Sequence, residues 1–223
     1  MANQIEIADP GTVTYRVGDC VYVNLTNRCP CACTFCLREH ASGVYGSDSL
    51  WLKREPTLEE VKVSLSAWDF TRFREVVFCG YGEPTERLDV LLETAAYIKS
   101  IDSTIRVRLN TNGLSDLINA RPTAQLFAKS FDCISISLNS STAEEYVAVC
   151  RPKFGEASYA ALLKFAREAA SCLPEVILTV VGEPITSLEK QDYCRKMAEQ
   201  LGARLRVRKY EQRPQSAEDQ AVL

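Results

Sequence analysis

Six short apolar runs, with helical patterns between them, restrict the fold of this chain more than any other feature. They are Val21-Tyr22-Val23-Asn24-Leu25, Val76-Val77-Phe78, Ile105-Arg106-Val107-Arg108-Leu109, Ile134-Ser135-Ile136, Val176-Ile177-Leu178-Thr179-Val180-Val181 and Leu205-Arg206-Val207. Strand-sized runs alternating with helix-sized segments predict parallel strands joined by right-handed helical crossovers. Thr57-Leu58-Glu59-Glu60, Thr142-Ala143-Glu144-Glu145 and Thr186-Ser187-Leu188-Glu189 each read as a capping box. Ala157 to Cys172 repeats apolar residues at helical spacing, and Gly202 stops the helix before the last strand. Six units are too few to close an eight-stranded barrel. The expected fold is therefore α/β, a single-domain partial (β/α)6 barrel with parallel strands. It spans residues 1–223, with an N-terminal extension (1–20) and a polar C-terminal tail from about residue 211 to 223.

In parallel α/β folds chemistry collects at the C-terminal ends of the strands. The first run leads straight into Cys29-Pro30-Cys31-Ala32-Cys33-Thr34-Phe35-Cys36. A structural cysteine is usually a lone small hydrophobe, so four thiols this close together point to soft metal, either zinc or iron–sulfur. A closed zinc site wants two short ligand pairs. This chain has no second Cys-x-x-Cys, and its single histidine is His40. Taken as Cys29-x-x-x-Cys33-x-x-Cys36, the cluster offers three thiolates to a four-iron cube and leaves one iron open, whereas an electron carrier closes all four. A zinc-binding adaptor and a ferredoxin-like carrier remain as the non-enzymatic readings.

Composition narrows the setting. A net charge of −3 and a pI near 5.4 argue against a protein that mainly holds nucleic acid by its phosphates. No apolar run reaches membrane-span length, and Met1-Ala2-Asn3-Gln4-Ile5-Glu6 has no basic region followed by a hydrophobic one. The expected location is the cytoplasm, where ten cysteines suit metal better than disulfides. Cys20, Cys79, Cys133, Cys150, Cys172 and Cys194 are scattered and read as packing residues.

The three-cysteine pattern, with aromatic Phe35 before its last member, resembles the radical S-adenosylmethionine (SAM) superfamily. The resemblance implies that Cys29, Cys33 and Cys36 hold a [4Fe-4S] cluster, whose open iron is chelated by the amine and carboxylate of SAM. Cys79-Gly80-Tyr81-Gly82-Glu83-Pro84-Thr85 resembles the Gly-Gly-Glu-Pro motif that holds the SAM amino group, with Tyr81 where a glycine commonly stands. Gly80, Gly82, Glu83 and Pro84 would then serve SAM. A β-branched residue at Gly82 is expected to crowd the methionyl group and spare the cluster. Asn110-Thr111-Asn112-Gly113 and Ser135-Ile136-Ser137-Leu138-Asn139 alone are ordinary turn chemistry. The resemblance sets Thr111 and Ser137 against the SAM carboxylate and Asn139 against the ribose. It lays the segment at Val181 along the adenine, with Phe35 over another part of the ring. Within the superfamily, Leu50-Trp51-Leu52-x-x-Glu55-Pro56-Thr57 and Val149-Cys150-Arg151-Pro152-Lys153-Phe154-Gly155 look like the TatD-linked radical SAM subgroup, which names no reaction.

What the resemblance implies is an enzyme that reductively cleaves SAM to a 5′-deoxyadenosyl radical. That radical takes hydrogen from an unidentified substrate, with a low-potential electron donor (flavodoxin or ferredoxin) docking near the cluster. The alternative within the superfamily is an activase that makes a glycyl radical on a partner protein. Cys31 is expected to be a dispensable loop thiol and His40 a solvated loop residue. Arg204-Leu205-Arg206-Val207-Arg208 puts three guanidiniums on one strand face. The ordinary reading is a charged outer face that blunts an edge strand. The sharper one turns at least one of these arginines toward the barrel mouth, against an anionic substrate, with Arg208, nearest the strand's C-terminal end, as the first candidate contact.

Overall fold

The computed structural model describes residues 9–39, 41–43 and 46–210, so His40 and the expected tail lie outside the described residues. The strands are β1 (Thr14–Val17), β2 (Cys20–Val23), β3 (Glu75–Phe78), β4 (Arg106–Thr111), β5 (Cys133–Ser137), β6 (Glu175–Val181) and β7 (Arg204–Arg208). Between them run α1 (Leu58–Ser66), α2 (Leu88–Ile101), the short α3 (Ser115–Asn119) and α4 (Ala124–Phe127), α5 (Ala143–Cys150), α6 (Ala157–Ala170) and α7 (Leu188–Gln200). The sheet order is β1-β2-β3-β4-β5-β6-β7. β2 to β7 are parallel throughout, and β1 and β7 are the open edges. All six expected parallel strands are present.

β1 is the addition. It lies inside the expected N-terminal extension and pairs antiparallel with β2, from Thr14↔Val23 to Val17↔Cys20. The two residues between them, Gly18 and Asp19, form a tight hairpin turn that Gly18 enters at φ +58. Only four residues long, β1 has little hydrophobic pattern to announce it.

The helix starts follow the sequence with two changes. Thr57 forms a full capping box with Glu60. Thr142 caps α5 through Glu145 N, but the Glu145 carboxylate accepts from Ser140 and Ser141 rather than returning to the cap. The third start is one residue later than expected. Ser187 is the N-cap, because Thr186 is buried and its carbonyl accepts from Gln191. Gly202 takes φ +75 after α7, a left-handed stop.

Alternation within the strands sorts side chains to two faces. Val21, Val76, Phe78, Val107, Leu109, Ile134, Ile136, Leu178 and Val180 pack outward against Leu65, Leu91, Ile98, Phe127, Leu162 and Phe165 of the helices. The inner face is polar. Near its floor the Arg108 guanidinium forks onto Glu75 at 2.9 and 3.1 Å and donates to Asn110 Oδ1 at 2.7 Å. Beside them Glu175 pairs with Arg204 at 2.6 Å and with Arg106. Burial pulls the Arg108 pKa down, but its pairing with Glu75 outweighs this and raises it. Removing one member of such a buried pair strands the other. Glu75→Ala is expected to cost about 3–5 kcal/mol in urea unfolding, and the double variant with Arg108→Met should recover much of that loss.

Candidate active site

β2 runs into the cysteine loop, and two distant segments hold that loop in place. On one side Ala32 N donates to Cys150 O at 3.1 Å, Thr34 N to Val149 O at 2.9 Å and Lys153 N to Pro30 O at 2.8 Å. Cys31 and Pro152 form an antiparallel bridge within this seam. On the other side Asn27 and Leu52 exchange bonds of 2.7 and 3.0 Å, and Thr26 and Arg28 reach the Glu55 carboxylate at 2.6 and 2.7 Å. The segments around Leu52 and Cys150, singled out in the sequence, are therefore the two supports of the cysteine loop.

Cys29, Cys33 and Cys36 are half-buried and line one cavity of about 620 Å³, together with Phe35. Cys31 and Cys150 line the same cavity but are buried, and Asn112 Nδ2 lies 3.9 Å from the Cys31 sulfur. None of the ten cysteines is in a disulfide. Contact with the Cys31 thiol lowers the Cys29 pKa, and contact with Cys150 and then Cys31 lowers that of Cys33. Bonding to both neighbours pushes Cys31 up, and burial pushes Cys36 up. Among the described residues no three such ligands converge on a point suited to a single ion.

Past β3, the turn Gly80-Tyr81-Gly82-Glu83 forms the adjoining wall. A Cβ at Gly80 would collide with the Asn24 side chain. One at Gly82 would collide with the Thr26 carbonyl and come within 2.7 Å of Arg28 O. Gly80 thus lets this turn close against the Asn24 side chain, and Gly82 lets it close against the backbone that enters the cysteine loop. Crowding at Gly82 falls on the protein, which changes the reason expected from sequence. Glu83 is buried and its carboxylate accepts four bonds: from Asn112 N and Thr111 Oγ1 at 2.7 Å, Thr85 Oγ1 at 2.8 Å and Thr85 N at 3.2 Å. Burial pushes this carboxyl up, against the pull of those bonds. Pro84 lies outside the cavity lining and opens the 3-10 turn Pro84–Arg87.

The remaining expected residues divide. Ser137, Asn139 and Val181, at the ends of β5 and β6, line the same cavity. Asn139 sits at φ +57 with Nδ2 3.6 Å from Cys150 Sγ, and its buried Oδ1 has no partner among the described residues. Thr111 also lines the cavity, but its hydroxyl already donates to Glu83 and accepts from Gly113 N at 3.1 Å. Sequence reasoning missed Tyr22, Cys79, Asn110, Ser135 and Thr179, which line the cavity deeper in the barrel. Period-two alternation from the known outward residues would have found them. Arg206 and Arg208 line the cavity as well, so the outer-face reading fails for both, while Arg204 pairs with Glu175 at the floor.

A cysteine loop after the first parallel strand, facing a cavity bounded by the ends of its neighbours, defines an open α/β barrel with a thiol-lined site. The family model of the radical SAM superfamily matches residues 23–197, and the chain belongs to that superfamily. Its members are enzymes that use a [4Fe-4S] cluster and SAM and need a reductant. GTP 3′,8-cyclase of Corynebacterium glutamicum is 32% identical over 142 residues, 61% of this chain and 35% of that protein. The chain thus spans about a third of the curated relatives it matches. Among solved structures, SuiB of Streptococcus suis bound to S-adenosylmethionine superposes with a TM-score of 0.65 at 15% identity, covering 87% of this chain and 41% of that one. HydG, a maturase of the [FeFe]-hydrogenase, gives 0.63 at 15% identity, covering 90% and 44%. Both show the same open barrel. No helix among the described residues is long and apolar enough to cross a membrane.

Proposed function

We propose that Cys29, Cys33 and Cys36 ligate the cluster, that SAM lies across the strand ends beside it, and that a substrate occupies the deeper cavity. The observation that carries this is the shared cavity itself, which gathers Cys29, Cys33 and Cys36 among six undisulfided thiols, the Gly80–Glu83 turn and the ends of β5 and β6. The donor set fits the cofactors, since three thiolates leave one iron for SAM and the partnerless Asn139 Oδ1 can accept from a ribose hydroxyl. When bound, cluster and SAM supply one-electron cleavage of the SAM sulfur–carbon bond to methionine and a 5′-deoxyadenosyl radical, which takes hydrogen from a substrate carbon.

The chain's own residues position and shield. Ser137 is the hydroxyl for the SAM carboxylate. Thr111 acts through Glu83, holding that carboxylate behind the glycine turn. Val181 and Phe35 flank the adenine. Asn139→Gly keeps the left-handed backbone and deletes the amide. It is expected to weaken SAM binding by about tenfold, with iron content unchanged.

The Corynebacterium relative is named for a reaction on GTP, and from it we carry over only small-molecule chemistry. The TatD-linked assignment rests on the sequence segments Leu50–Thr57 and Val149–Gly155 alone, and a flavodoxin or ferredoxin is the donor that fits a low-potential cluster. Free thiols throughout suit a reducing cytoplasm. The test is anaerobic reconstitution, followed by iron and sulfide analysis, electron paramagnetic resonance with and without SAM, and assay of 5′-deoxyadenosine. Iron and sulfide with a SAM-perturbed signal and 5′-deoxyadenosine are expected. Bound zinc without sulfide, or a cluster indifferent to SAM, overturns the reading.

A further inference from the structure

Charges on the inner face of the barrel fall into two layers. In the floor layer every guanidinium has a carboxylate: Arg108 has Glu75, and Arg106 and Arg204 have Glu175. One step up β7, Arg206 is in register with Thr179, and Arg208 with Val181. No carboxylate of the described residues pairs with either. Arg206 is half-buried, its Nε is buried without a partner among the described residues, and a terminal nitrogen donates to Ser135 Oγ at 3.5 Å. Lys209 adds a further cation to the rim. Glu83 is the single carboxylate among the described residues lining the cavity, and four protein donors already occupy its oxygens.

A guanidinium withdrawn from water without a counter-charge is costly. Burial, followed by the charges of Arg108 and Arg208, lowers the Arg206 pKa. An oxyanion in the cavity relieves this, and the planar fork matches a carboxylate or phosphate with two parallel bonds.

We propose that Arg206 and Arg208 form an oxyanion site at the β7 edge of this cavity, so that the substrate is a small molecule carrying a phosphate or carboxylate group. The proposal rests on the cavity being the active site. It moves the principal contact from Arg208, the arginine nearest the strand end, to Arg206, the one whose nitrogen is buried and unpaired.

The reconstituted, SAM-loaded protein is titrated calorimetrically with inorganic pyrophosphate in one arm and glutarate in the other, which distinguishes a phosphate from a carboxylate site. Saturable binding of one of them is expected. Arg206→Gln should bind it about tenfold more weakly or worse, with Arg206→Lys between the two. Melting temperature and iron content report whether each variant has folded. Should Arg206→Gln not fold, the exposed Arg208→Gln carries the same test, with weakened binding expected. Wild type that cleaves SAM but binds neither anion, or equal anion affinity in wild type and folded variants, overturns the site. So does binding confined to a polyanion such as polyuridylate. Arginine-dependent anion binding in a protein that never cleaves SAM overturns the cofactor reading and leaves the site standing.

Discussion

Alanine at Cys29, Cys33 or Cys36 is expected to remove the iron–sulfur cluster and abolish 5′-deoxyadenosine formation, while Cys31→Ala retains both. Each of the three half-buried thiols opens on the cavity, and a cube that loses one of three protein ligands is left with two. Cys31 lines the cavity too, but it is buried where the other three are half-buried. Its backbone bridges Pro152, its side chain is buried, and Asn112 reaches its sulfur at 3.9 Å. Its deletion removes a small packing group, and the seam to residues 149–153 remains because backbone atoms make it. Iron and sulfide per chain, measured after identical reconstitution, separate the four variants. A Cys31→Ala protein without iron beside a Cys29→Ala protein with full iron would reverse the ligand assignment.

Much of this arrangement was legible in the sequence because its signals are local. β-branched runs announced the six parallel strands, and Thr57 with Glu60 announced a helix start that forms as expected. The cysteine spacing and the Gly-x-Gly-Glu-Pro turn marked two walls of the cavity. What stayed hidden depends on contacts between distant residues. That residues 149–153 hold the cysteine loop is a matter of tertiary hydrogen bonds made by the main chain, which carry no side-chain signature. Thr111 looked free for a ligand because nothing local shows that Glu83, 28 positions away, takes its hydroxyl. The β7 arginines were ambiguous for a related reason. Alternation puts Arg204, Arg206 and Arg208 on one face but cannot say which face is inside, and only Glu175, contributed by β6, separates the paired Arg204 from the other two.

Gly82→Ala is expected to lower cluster content and SAM cleavage together. The added Cβ points at the carbonyls of Thr26 and Arg28, and backbone atoms cannot swing aside as a side chain could. The turn is pinned there, since Glu83 N donates to Arg28 O at 2.7 Å. Relief therefore comes in one of two ways. The turn can retreat, drawing the Glu83 carboxylate off Thr85, Thr111 and Asn112 and uncovering a buried acid. Alternatively, residues 26–28 retreat and carry Cys29 out of line with Cys33 and Cys36. Forcing a methyl into a packed interior costs about 1–3 kcal/mol, and contact with rigid backbone belongs at the upper end of that range. Reconstituted Gly82→Ala should accordingly melt at a lower temperature, hold less iron than wild type and make little 5′-deoxyadenosine. A glycine that serves only to admit SAM predicts a different pattern, with full iron and unchanged melting but SAM affinity reduced by about tenfold or more. That second pattern would return Gly82 to the ligand and remove the structural role assigned to it here.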